Sequence, residues 1–137
     1  MNRADLQELS DVRIYEAKLL FEAGGYSGAY YLAGYAVECA LKACFAKGVE
    51  RYDFPDKNRA GQVFTHNLSD LAKLANLQQD LAAAIKDHPR LDATWQSVCK
   101  WKEDSRYSIR TKEEAEAMIE AITSKDGGIL PWIQERW

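Results

Sequence analysis

An all-α fold, an antiparallel up-and-down bundle of four to five helices with a short extra helix, is what the sequence predicts. Three observations predict it. Between Ala29 and Ala46 only Glu38 and Lys42 carry charge, so a helix there is apolar almost all round and must be surrounded by protein. Elsewhere apolar residues recur at spacings of three and four, the period of a helix with one buried face. No stretch shows strand alternation, an internal repeat or low complexity. A length of 137 residues, 47% hydrophobic and 28% charged, suits one domain spanning 1–137 around one core.

The elements follow in order. A first helix is expected over about 4–23, with Leu9, Val12, Tyr15 and Leu19 as its apolar positions and charges between them. Gly24-Gly25 ends it with a left-handed cap. The second helix, about 27–47, forms the centre and is stopped by Gly48; the short turn before it sets the two helices antiparallel. Residues 49–66 form a long connection of the kind that is often functional, in which Phe54 and Phe64 are expected to dock. Asn67 caps a third helix carrying Leu68, Leu71 and Leu74. A helical stretch spans 78–87, His88-Pro89 interrupts it, and the pattern resumes from Asp92 to Trp101. Residues 102–110 read as a polar connection. Thr111 and Glu114 form a capping box for a last long helix with Ala115, Met118, Ile119 and Ile122 on one face. After Gly127-Gly128, residues 129–133 form a short docked helix, and Trp132 and Trp137 suggest an apolar patch covered by a second subunit.

The bulk properties exclude several classes. Net charge is −3 and the pI about 5.4, which argues against a broad basic nucleic-acid footprint. The uncharged run is too short for a membrane span, and the N-terminus lacks a signal-peptide apolar region, so a cytoplasmic location is expected. Cys39, Cys44 and Cys99 fit reduced thiols and lack zinc-ligand spacing; two histidines without a dense carboxylate cluster suggest no metal, and no phosphate-loop or nucleophile-elbow motif is present.

The segment Ala33-Gly34-Tyr35-Ala36-Val37-Glu38-Cys39-Ala40-Leu41-Lys42-Ala43 resembles the signature helix of the HEPN domain family. The likeness extends, in the family's order, to Thr65-His66-Asn67-Leu68, to Ser105-Arg106-Tyr107 and to Trp132. The resemblance implies a stand-alone helical domain similar to the C-terminal helical domains of kanamycin nucleotidyltransferase and of sacsin, commonly a homodimer. It implies three kinds of function: metal-independent RNases, nucleotide- or RNA-binding modules, and partners of small nucleotidyltransferases. The expected role is a module that binds nucleotide or RNA phosphate, or a protein partner, alongside a separate minimal nucleotidyltransferase, with no cofactor and no catalysis of its own.

The alternatives are a toxin-like endoribonuclease of a toxin–antitoxin pair and a purely structural dimer. The RNase branch pairs an Arg that holds the scissile phosphate with a His that moves protons, and Arg59 and His66 match that spacing here. That match lies in the long connection; where the motif sits in the family, this chain has Arg106-Tyr107 without a following His. The expected ligand-binding residues are Glu38, Lys42, His66, Arg106 and Tyr107. Glu38 and Lys42, four apart, can bond to each other as a structural pair. Alternatively Lys42 meets a phosphate while Glu38 orients Arg106. Arg106 suits phosphate by its planar fork and Tyr107 can stack on a base, or Arg106 bridges Glu38 while Tyr107 packs as a lid. His66 can instead bond locally beside the helix cap. Arg51, Lys57 and Arg59 form a basic cluster of solvated loop charges, and Tyr30, Tyr31 and Tyr35 read as core or interface residues.

Overall fold

The computed structural model describes the backbone of residues 1–52 and 61–137, with the side chains of 1–49 and 61–137. All regular structure in them is helical: α1 (Arg3–Glu22), α2 (Tyr26–Tyr52), α3 (Leu68–Leu74), α4 (Gln78–Asp87), α5 (Pro89–Val98), a 3-10 turn (Glu103–Tyr107), α6 (Lys112–Thr123) and α7 (Ile129–Gln134). α2 is the axis of the bundle. It packs most extensively on α1, and also on α6, α3, α7 and the 3-10 turn. Its Ala29, Ala33, Ala36, Val37, Ala40, Leu41 and Ala43 are all buried. Small side chains over about four turns let neighbouring backbones come close, so α2 can be covered on several sides at once. Among the described residues no helix is long and apolar enough to cross a membrane.

Three of the four residues of the apolar stripe expected on α1 face outward, and Leu9 alone of them is partly buried. Val12, Tyr15 and Leu19 are 38%, 63% and 48% exposed, while Ser10 and Ala17 are fully buried. The inward face runs through Ser10, Ile14, Ala17 and Phe21, also at helical spacing. Close approach to the alanine face of α2 selects this side, because a serine and an alanine fit where larger side chains do not. The buried Ser10 hydroxyl donates to the Ala36 carbonyl at 2.7 Å, so it carries no desolvation penalty.

Three helix ends also differ from expectation. Gly48 does not stop α2, which continues to Tyr52. Phe45, Ala46 and Val49 line one apolar groove on either side of that glycine, and their packing outweighs the roughly 1 kcal/mol that glycine costs in a helix. α5 begins at Pro89, not Asp92, and ends at Val98, not Trp101. Proline is accommodated in a first turn, and His88 caps it by accepting from the Leu91 amide at 3.4 Å. The other caps agree with the sequence. Asn67 accepts from the Asp70 amide, Thr111 and Glu114 form the reciprocal box, and Gly24 adopts φ +86 after α1.

Trp101 is released from α5 to serve the core. It is 1% exposed, its indole N–H donates to the Tyr31 carbonyl at 3.1 Å, and its ring stacks on Tyr31 with centroids 5.8 Å apart. Its indole lies directly against Gly34, where a Cβ would overlap the ring. The C-terminus docks within the chain. Arg3 donates to the Trp137 carbonyl at 2.6 Å, and Arg136 covers the Trp132 ring at 3.8 Å. Both tryptophans are half-buried against the core, so the patch expected to need a second subunit is largely covered from within. Phe64, expected to dock, is 78% exposed, and Phe54 lies outside the described residues.

Burial controls the thiols. Cys39 and Cys44 are pushed up from 9.0 to about 11, first by burial. In the unfolded chain they release their protons near 9, so across pH 9 to 11 the unfolded state binds fewer protons. Their contribution to stability is complete below pH 9 and is lost as pH rises toward 11. Urea unfolding at pH 7.5, 9 and 10.5 should therefore show the midpoint falling only above pH 9. Replacing both thiols with alanine should flatten that fall.

Candidate functional site

The second face of α2 carries Tyr31, Tyr35, Glu38 and Lys42, spaced so that they rise along one side of the helix. Glu38 is 1% exposed. Its Oε1 accepts from Lys42 Nζ at 2.9 Å and faces His66 Nδ1 at 2.9 Å. His66 immediately precedes the Asn67 cap of α3, and α3 packs on α2, which brings the ring to Glu38 across 28 residues of sequence. The other ring nitrogen, Nε2, lies 3.3 Å from Glu103 Oε2. Glu103 in turn accepts from Arg106 Nη1 at 3.4 Å. The result is a charge relay in space, Lys42, Glu38, His66, Glu103, Arg106, that runs from a buried carboxylate to an exposed guanidinium.

Both His66 nitrogens face carboxylate oxygens, and only the doubly protonated ring can donate to both. The buried Glu38 thus sets the orientation of His66 and anchors Lys42. The outer half of the relay is open: His66 is 37%, Glu103 39% and Arg106 47% exposed, whereas Lys42 is 19% exposed. Glu38 Oε2 is enclosed and, among the described residues, has no hydrogen-bond partner. A buried unmatched carboxylate oxygen costs stability, so this chain maintains a polar arrangement that packing alone would not favour.

The neighbours tune the same face. Tyr35 is half-buried, and its hydroxyl is held above the usual range by burial and then by the Glu38 charge. Arg13 on α1 lies 6.0 Å from the Tyr35 ring centroid and pairs with Glu16. Tyr31 and Tyr35 are 6.0 Å apart, centroid to centroid. Arg106 sits 4.8 Å over the Tyr107 ring, and its pKa is raised further, mainly by a hydrogen bond with Tyr107.

Four of the five residues expected to bind ligand, Glu38, Lys42, His66 and Arg106, join one network, and Tyr107 stands at its end. Three details are corrected. Arg106 does not bridge Glu38, because Glu103 and His66 stand between them. Tyr107 is 77% exposed and is no lid, since the 3-10 turn directs Ser105 inward and leaves Tyr107 outside. His66 does not bond locally beside the cap, because its ring reaches back to α2. Arg59, the other half of the Arg-His match, and its neighbour Lys57 lie outside the described residues, as does the Arg51 side chain.

Glu103 is the member that sequence reading missed. It sits in a run of charged residues with no periodicity, and only its position in the 3-10 turn opposite α3 gives it a role. Arg13 was equally silent, one charge among many on α1. Tyr30 is buried and lies under the Arg110 guanidinium at 4.2 Å, on a different side from the relay. Among the described residues no group of three or more His, Cys, Asp or Glu side chains could hold a metal ion.

A groove of about 680 Å³ adjoins the relay, between α1 and the C-terminal half of α2. Its walls are apolar, with Leu6, Leu9, Phe45, Val49, Val63 and Phe64 among them, and Glu38, Lys42 and Tyr35 also line it. No protein family, curated protein or solved structure matches the chain in comparison with known proteins.

Proposed function

We propose that the chain is a HEPN-type module that binds nucleotide or RNA phosphate through Lys42, His66 and Arg106, acts as a homodimer in the cytoplasm, and works with a separate minimal nucleotidyltransferase. The observation that carries this reading is the relay itself. A carboxylate held in the dark of the bundle keeps a lysine and a histidine at a rim where a guanidinium and an exposed tyrosine also stand. Phosphate oxygens suit each of these donors. Arg106 offers a planar fork, Lys42 a point charge and His66 a ring N–H already oriented by Glu38. An arriving phosphate displaces Glu103 from Arg106 and His66, exchanging one set of charge-assisted bonds for another.

The test is calorimetric titration of ATP, AMP and a short single-stranded RNA at low salt, with NMR to locate the contacts. Arg106→Ala is expected to weaken binding about tenfold, the loss of one charge-assisted contact, and binding should fall as salt rises. No heat, and no shift at His66 or Arg106 with any of the three, would sink the reading.

A second reading draws on the same carboxylate-held ring. Glu38 holds one nitrogen of His66, and the other, once Glu103 is displaced from it, serves proton transfer, as a metal-independent endoribonuclease needs. Labelled RNA incubated with the protein in EDTA separates the two: cleavage that vanishes in His66→Ala favours the nuclease, and intact RNA favours the binding module.

A further inference from the structure

Because the C-terminal tryptophans dock within the chain, a homodimer needs a different surface from the one the sequence suggested. α1 supplies it. Val12, Tyr15 and Leu19 are exposed and follow one another at spacings of three and four, on the side opposite the buried Ser10 and Ala17. α1 packs on α2 and α6 through its inner side, and the outer stripe stays open. We infer that two copies of the chain associate by laying these outer faces of α1 antiparallel, with Tyr15 near the two-fold axis and Asp11 of each copy paired with Lys18 of the other. This inference rests on the homodimeric part of the reading above and gives it a surface, a direction and a register.

The spacing is that of a two-helix seam. Residues 12, 15 and 19 fall on its core line, 11 and 18 on one flank, 9 and 16 on the other, and Ser10 and Ala17 directly opposite. Charge then fixes the direction. In an antiparallel pair each flank meets its own kind, so residues 11 and 18 of one copy border residues 11 and 18 of the other. With Val12 seated on Tyr15 of the second copy, Asp11 comes to Lys18 twice, once on each side of the two-fold axis. In a parallel pair the flanks cross, and Asp11 would meet Glu16 of the other copy, a repulsion made twice. Sliding the antiparallel pair until Tyr15 meets Leu19 would set Lys18 against Lys18.

The charges needed for this register are available. Asp11 and Lys18 are exposed and, among the described residues, have no ion-pair partner within the chain. Arg13, by contrast, is held by Glu16 and the ring of Tyr35. The core line runs into Glu8 at one end and Glu22 at the other, so the seam is short, about three turns. A contact of that length lies at the low end of specific interfaces, below roughly 1,200 Å² in total, so the association is reversible, with a Kd on the order of 100 µM.

The experiment is sedimentation equilibrium on the full chain from about 10 µM to about 1 mM, a range that brackets such a Kd. The parent should pass from monomer to dimer across it. Asp11→Lys and Lys18→Asp each set like charges together at both contacts, and each should weaken the dimer about tenfold. Joining the two substitutions should restore it, because the pairs are remade with their signs exchanged. Tyr15→Glu should hold the chain monomeric, with its helical circular dichroism unchanged because Tyr15 is exposed. A dimer indifferent to Tyr15→Glu and to both charge reversals uses another surface, which overturns this inference and leaves the homodimer standing. A dimer strengthened by Asp11→Lys is parallel, and one weakened by each reversal but not restored by the exchange has another register; either result overturns the inference. A monomer at every concentration overturns the inference and the homodimeric reading together.

Discussion

Replacing Gly34 with alanine is expected to destabilise the protein by about 3 kcal/mol, a fall of about 10 °C in Tm for a chain of this size. The reason is local and severe. A methyl group at Gly34 would be driven into the pyrrole side of the Trp101 indole, overlapping three of its atoms. Trp101 cannot swing away without surrendering its bond to the Tyr31 carbonyl, its stacking on Tyr31 and its 1% exposed position. Backbone retreat is equally blocked, because α2 is packed on several sides. Trp101→Ala should itself cost about 3–5 kcal/mol through the cavity it opens. The double variant should cost less than the two single costs added, because the added methyl then enters the vacated space. Gly48 in the same helix provides the contrast. Among the described residues nothing lies within 4 Å of a Cβ there, so Gly48→Ala should stabilise by about 0.5–1 kcal/mol. Thermal unfolding of the four variants reads all of this, and a Gly34→Ala protein as stable as the parent would refute the packing described for α2.

The second large effect concerns Glu38, where stability and function should move in opposite directions. Glu38→Ala alone strands Lys42 and His66 without their shared acceptor and opens a gap. It should cost about 3 kcal/mol, the range for removing one partner of a buried ion pair. Converting the pair together, Glu38→Met with Lys42→Met, removes both the enclosed unpartnered oxygen and the ammonium. Such replacements are commonly neutral or stabilising by about 1–3 kcal/mol. The double variant should therefore be at least as stable as the parent in urea, while nucleotide affinity falls by about tenfold or more, the loss of an oriented His66 and of Lys42. If the double variant is less stable than Glu38→Ala, the couple serves the fold. If it is stable and binds as before, the phosphate site lies elsewhere.

Several parts of this protein were legible one residue at a time. Asn67, Thr111 with Glu114, and Gly24 signal helix boundaries by chemistry confined to a single turn, so no distant contact is needed to read them. The burial of α2 is legible for a similar reason: a helix with one ion pair in five turns has no face to offer water. Val12, Tyr15 and Leu19 show where such reading stops. Two faces of α1 carry helical spacing, and periodicity measures amphipathicity without saying which face a neighbour will admit. Small residues on α2 admit Ser10 and Ala17, and the larger stripe is left outside.

The candidate site divides in the same way. The couple Glu38 and Lys42 is visible because four residues on a helix make one contact. His66 and Glu103 reach the couple only through the packing of α3 and the 3-10 turn against α2, and no spacing rule encodes such an encounter. By itself, then, the sequence determined that the chain is helical, that α2 lies at its centre, and where most helices begin and end. Those properties follow from composition and contacts within a few residues. Tertiary structure alone decided which side of α1 is wet, that Trp101 locks against Gly34, and that a buried carboxylate meets a histidine from another element. Each of these depends on shape and charge complementarity between segments far apart in the chain.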